Sequence, residues 1–120
     1  MPVLHQFATV VLECADPVAL AAFYQKATGW ELAGSEPDFT SLSAGPGTPG
    51  LAFARVADAP APDWPGGGAR LHLDFTVPDL DAAVRELLSL SASRPDFQPG
   101  GTEWTVLTDP QGHPFCLIAG

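Results

Sequence analysis

Residues 70–90, RLHLDFTVPDLDAAVRELLSL, decide how this chain folds. Leu71, Leu73, Phe75 and Val77 alternate with His72, Asp74 and Thr76, the pattern of a strand with one apolar and one polar face. Pro78 and Asp79 stop it. From Leu80 the period becomes helical: Leu80, Ala83, Val84, Leu87 and Leu88 form one stripe, with Asp79 placed to cap the helix start. Sliding back by 63 residues finds the same plan, with Thr9 on His72, Val11 on Asp74, Glu13 on Thr76, Asp16 on Asp79 and Tyr24 on Leu87. The chain is therefore an internal repeat.

At 120 residues and 46% hydrophobic content, the chain has the size of one domain and can bury a core. Two cysteines, Cys14 and Cys116, are too few for a disulfide framework or a zinc knuckle and fit a reducing compartment. No apolar run is long enough to span a membrane, and MPVLHQ lacks the regions of a signal peptide, so a cytoplasmic protein with no membrane partner is expected. The formal net charge is −9, and the five cations, Lys26, Arg55, Arg70, Arg85 and Arg94, are spread singly. Nucleic acid is not an expected partner.

In chain order, Phe7 to Cys14 reads as a first strand, central in its sheet because both parities are largely apolar. Asp16 and Pro17 open a helix that runs from Val18 to about Thr28, and Gly29 closes it. Strands follow at Trp30 to Leu32, Phe39 to Ser43 and, after a Gly/Pro-rich turn, Leu51 to Val56. Residues 58–68, DAPAPDWPGGG, read as a linker in which Trp64 packs on its own domain or a second copy, or acts as a lid. In the second unit, Ser91 to Gly101 reads as a weak strand plus loop with Phe97 inward. Trp104 to Thr108 and Pro114 to Ile118 are strands joined by the turn Asp109-Pro110-Gln111-Gly112.

Three segments, ECADPVALAAFYQKATGW (13–30), LHLDFTVPDLDAAVREL (71–87) and WTVLTDPQGHPFCL (104–117), resemble the vicinal oxygen chelate superfamily. Within it they are similar to the small glyoxalase-like domain proteins grouped with glyoxalases, bleomycin resistance proteins and dioxygenases. The resemblance implies an α+β fold of tandem β-α-β-β-β units forming one curved eight-stranded mixed sheet, a half-barrel, with two helices on its outer face. Unit one is 1–57, the linker 58–68 and unit two 69–120.

In catalytic relatives, the resemblance implies a divalent metal held by His, Glu or Gln from equivalent strands of both units. By the repeat, those positions fall on Thr9, His72, Cys116 and Phe53, or Leu51 if the hairpin register differs by two. His72 is the one expected ligand; His5 and Glu13 are displaced along their strand by two residues or more, at roughly 3.3 Å per residue. One imidazole and a thiol leave a cation underligated, so no cofactor is expected.

What remains is a polar concave sheet face suited to a small-molecule ligand. His72 and Asp74 form its candidate acid-base or ligand-orienting pair, and Thr9, Glu13, Phe53, Arg55, Trp104 and Cys116 are candidate ligand contacts, with Thr9, Glu13 and Cys116 on walls opposite His72. Arg55 offers an anion anchor or a strand-end salt bridge, and His113 a turn role. Cys116, between Phe115 and Leu117, reads as a small hydrophobe rather than a nucleophile. The expected function is small-molecule binding with a degenerate metal site, in a homodimer; the alternatives are a metal-dependent lyase or dioxygenase, or a drug-sequestering resistance protein.

Overall fold

The repeat is built as two units, residues 1–59 and 60–120, and the computed structural model describes residues 7–58, 61–66 and 71–120. Unit one holds β1 (Thr9–Cys14), α1 (Pro17–Thr28), β2 (Glu31–Glu36), β3 (Phe39–Ser43) and β4 (Gly50–Arg55). Its strands order β1-β4-β3-β2, with β1 parallel to β4 and the other pairs antiparallel. β1 therefore ends this four-strand order, and its expected central place does not hold within the sheet. Unit two holds β5 (Leu73–Val77), α2 (Leu80–Ser89), β6 (Trp104–Thr108) and β7 (Pro114–Ala119), ordered β5-β7-β6 with β5 parallel to β7.

The α+β class and the two helices agree with expectation, but the single eight-stranded sheet does not. The described residues form seven strands in two sheets. The missing eighth is the weak strand in Ser91 to Gly101, which pairs only as an isolated bridge between Ser93 and Thr108. The next hydrogen-bonded pair along that ladder would set residue 95 opposite Val106, and Pro95 has no N–H to give. Gln98 fills the gap with its side chain. Its Nε2 donates to the Val106 carbonyl at 2.9 Å, and its Oε1 accepts from the Val106 N–H at 2.9 Å. A side-chain amide thus closes the sheet edge where a strand would have run.

Both helices start on the same device. Asp16 accepts from the Ala19 N–H at 3.1 Å, with Pro17 in the first turn, and Asp79 accepts from the Ala82 N–H at 3.0 Å. Gly29 ends α1 in the left-handed region at φ 76°, its N–H returning to the Gln25 carbonyl. Each helix covers one face of its own sheet. In unit one Leu20, Phe23 and Tyr24 are buried, and the Tyr24 ring stacks on Phe53 with centroids 5.6 Å apart. In unit two Val84 and Leu87 are buried, while Leu88, expected in the stripe, is 41% exposed. Phe75 meets Phe115 edge to face on the helix side. Trp64 packs on Phe97 within the same unit, with ring centroids 5.7 Å apart.

Candidate functional site

Strand register decides which side chains the helices cover and which they leave on the open face. In unit one, Leu12 lies beside Phe53 and Cys14 beside Arg55, while Val11 lies beside Ala52 and Glu13 beside Ala54. Phe53 is fully buried under Tyr24, so the first set faces α1 and the second faces away. Phe53 and Leu51 are thus helix-facing core, which removes Phe53 as a ligand contact on the open face. The register-equivalent of Cys116 is Ala52, because Val11 pairs with Ala52 as Asp74 pairs with Cys116. A slip of one residue exchanges the two faces of a strand.

Thr9 and Glu13 do lie on the open face of unit one, and both are exposed. Arg55 does not join them. Its Nε donates to Asp38 Oδ1 at 2.9 Å, and its terminal nitrogens donate to the Ala15 and Pro37 carbonyls, so the guanidinium staples the strand end to two neighbouring turns. His5 lies outside the described residues.

The open face of unit two carries the chemistry. His72 and Asp74 are two apart on an extended segment, which places both on the side away from α2, with Thr76. The His72 Nε2 lies 3.2 Å from Asp74 Oδ1, and each side chain is about half exposed. Cys116 is the register partner of Asp74 on the adjacent strand, so it stands on the same wall as His72 and not opposite to it. Burial pushes the Cys116 thiol up to about 11, helped by the Asp74 negative charge and by a hydrogen bond to that carboxylate. At neutral pH the sulfur is a protonated donor and not an activated nucleophile, as its apolar neighbours suggested. Trp104 shares this face through its pairing with Ile118, its ring lying against Gly100, where any side chain would collide with the indole.

The turn before β7 is built on a buried carboxylate. Asp109 Oδ1 accepts from the Gln111 and His113 N–H groups at 2.9 and 3.0 Å, and Oδ2 lies 2.9 Å from His113 Nδ1. His113 has the turn role expected of it, and this geometry fixes where β7 begins.

A metal site spread over both units does not fit these residues. The unit-one positions supply only the Thr9 hydroxyl and the Ala52 methyl, neither a donor that a transition metal selects. Unit two differs. The donor atoms of His72, Asp74 and Cys116 all lie within 4.8 Å of one another, so the count of one imidazole and one thiol falls short by a carboxylate. Asp74 was legible as the neighbour of His72; its pairing with Cys116 needed the β5–β7 register.

Comparison with known proteins follows the same outline. The model of the glyoxalase-like domain family matches residues 9–118. A glyoxalase/bleomycin resistance protein/dioxygenase family enzyme from Burkholderia phytofirmans superposes with a TM-score of 0.76 at 19% identity, covering 96% of this chain and 98% of that one. A glyoxalase-related enzyme from Fulvimarina pelagi gives 0.70 at 22% identity, covering 98% and 89%. A protein from Agrobacterium tumefaciens gives 0.74 at 18% identity, covering 97% and 98%. No match to a curated protein sequence was found. With the repeat, the capped strand-helix units and the family model in agreement over nearly the whole chain, this protein belongs to the glyoxalase-like domain family, of the vicinal oxygen chelate type.

Proposed function

We propose that this protein binds a small organic molecule against the open face of its second sheet, with the two-unit metal site of catalytic relatives reduced. The observation that carries this reading is the half-exposed His72–Asp74 pair, 3.2 Å apart, on the face that α2 leaves uncovered. Both groups are accessible and polar, and Trp104 and Ile118 on the same face add apolar surface, a mixture that orients a ligand and holds it. The surplus of acid favours a cationic ligand, which Asp74 meets directly. Thr9 and Glu13, exposed on the open face of unit one, are candidate ligand contacts of that unit taken by itself. His72 and Asp74 acting as an acid-base pair is its catalytic form, imidazole being the side chain that changes charge near neutrality.

Homodimerisation in the cytoplasm belongs to the same proposal, since each sheet has a helix on one face only and Val11, Phe39 and Ile118 remain exposed on the other. Sedimentation equilibrium reads this part alone, and a monomer at all concentrations refutes it. For the ligand, metal-free protein is titrated with a panel of cationic and aromatic small molecules while tryptophan fluorescence is followed. Saturable binding that weakens at least about tenfold in Asp74→Asn supports the reading, tenfold corresponding to about 1.4 kcal/mol of lost contact. No saturable response across the panel, or binding indifferent to both His72→Ala and Asp74→Asn, overturns it.

A further inference from the structure

Two short pieces of unit two read alike: Pro62-Asp63-Trp64 in the linker and Pro95-Asp96-Phe97 after α2. The fold brings them together, with the Trp64 and Phe97 ring centroids 5.7 Å apart and the rings tilted by 36°. Phe97, expected inward, is 55% exposed; Trp64 is partly buried, and Asp63 and Asp96 are both exposed. A ring left more than half in water forgoes the gain that burial would supply, so an aromatic pair held at the surface marks a place where something binds.

Both rings stand on fixed backbone. Gln98, next to Phe97, donates from Nε2 to the Pro95 carbonyl at 2.8 Å and to the Val106 carbonyl at 2.9 Å, which ties the Phe97 turn to β6. The linker lies close against Gly112, where a Cβ would meet the Pro62 carbonyl at 3.1 Å and the Ala61 side chain at 3.3 Å. The turn after Trp64 is as tight, since a Cβ on Gly66 would meet the Asp63 carbonyl at 2.9 Å and its Oδ2 at 3.2 Å. Groups ordered in advance bind at a lower entropic cost.

Charge and geometry select the partner. A cation is attracted to the face of an aromatic ring when it lies within about 6 Å of the centroid. With centroids 5.7 Å apart, one cation meets that distance for Trp64 and Phe97 at once. Asp63 and Asp96, each directly before its ring, add negative charge, and Arg94 is the one basic residue in 61–66 and 91–104. A bare metal ion keeps its water at such a surface, whereas an alkylated ammonium brings both a charge and methyl groups that the rings cover.

We infer that Trp64 and Phe97, with Asp63 and Asp96, form a surface site for the alkylammonium group of a small molecule. The inference does not rest on the organic-ligand reading of the second sheet.

The test titrates the full-length protein with choline and, separately, with its uncharged analogue in which a tert-butyl group replaces trimethylammonium. The probe's methyl proton resonances and the tryptophan indole N–H signals are followed. Expected are one saturable choline site with a Kd on the order of millimolar, upfield methyl shifts from the rings, and binding at least about tenfold weaker for the analogue. Trp64→Leu and Phe97→Leu should each weaken choline about three- to fivefold, the size of one exposed cation–π contact. Asp63→Asn combined with Asp96→Asn, which leaves both rings in place and so decides the matter even where Trp64→Leu disturbs the linker, should weaken choline and flatten its salt dependence. Asp74→Asn should leave choline binding unchanged. No saturable choline binding, equal binding of the analogue, or binding indifferent to both Trp64→Leu and Phe97→Leu overturns the inference. Loss of choline in Asp74→Asn alone also overturns it, because the probe then sits on the second sheet, so this inference and the organic-ligand reading fail separately.

Discussion

Asp16 and Asp79 cap their helices through the same contact, and each unit pairs its first strand parallel to its last, yet the open faces have diverged. Where unit one sets Val11 beside Ala52, unit two sets Asp74 beside Cys116, with His72 at 3.2 Å. The covered faces remain alike, with Phe53 under Tyr24 in one unit and Phe115 against Phe75 in the other. Packing against a helix constrains a strand residue by volume, whereas Val11 and Asp74 on the other face are exposed and carry less of that constraint. The repeat kept what its helix-covered faces require and changed the residues of the other face.

The largest effect that would break this comparison is in the cores. Phe53→Ala should lower stability by about 3–5 kcal/mol in denaturant unfolding, since it empties the stack beneath Tyr24. Thr9→Ala, on the open face of the same sheet, should stay within about 0.5 kcal/mol. A small loss for Phe53→Ala would mean that the faces are assigned the wrong way round.

Next in size is Gln98→Leu, which strips the buried Val106 of partners for both its N–H and its carbonyl, at about 1–3 kcal/mol each. Amide hydrogen exchange at Val106 should accelerate with it. Unchanged protection there would contradict the view that a side chain replaces the eighth strand.

A pH effect sharpens the account of Cys116. Below about pH 9 the Cys116 thiol is protonated in both folded and unfolded chains and adds no pH dependence. Above the ordinary value of 9.0 the unfolded chain releases its proton while the folded chain holds it up to about 11, so stability falls through that window. Two pH units correspond to at most about 2–3 kcal/mol. Comparison of the native protein with Cys116→Ser isolates this slope from that of other groups, and equal slopes would deny it. The smallest effect concerns what the units share: Asp16→Ala and Asp79→Ala should each lose about 1 kcal/mol in thermal unfolding. Markedly unequal losses would show that the caps are not equivalent.

Much of this was legible in residues 70–90, because alternation followed by a capped helical stripe has few other realisations. Register was not. The repeat offset is 63 between Val11 and Asp74 but 64 between Ala52 and Cys116, since the connections within the two units differ in length. Counting 63 throughout lands on Phe53, one residue off and on the wrong face. The eighth strand failed for a local reason, Pro95, whose consequence depends on which residue it opposes. Asp74 could be seen beside His72, two residues away, but its contact with Cys116 spans 42 positions of sequence and is set by the sheet alone. Arg55 left two roles open, and the carbonyls of Ala15 and Pro37 decided between them.

The central claim is that His72, Asp74 and Cys116 are one coupled group on one face, and the titration of the Cys116 thiol tests it most directly. Thiolate absorbance followed from about pH 7 to 12 in Cys14→Ser protein, with folding monitored by circular dichroism, reads a single thiol. A midpoint near 11 is expected, and it should move down part of the way in Asp74→Asn, where burial alone remains to hold the proton. A midpoint at the ordinary value of about 9, or one that Asp74→Asn leaves in place, would contradict the account.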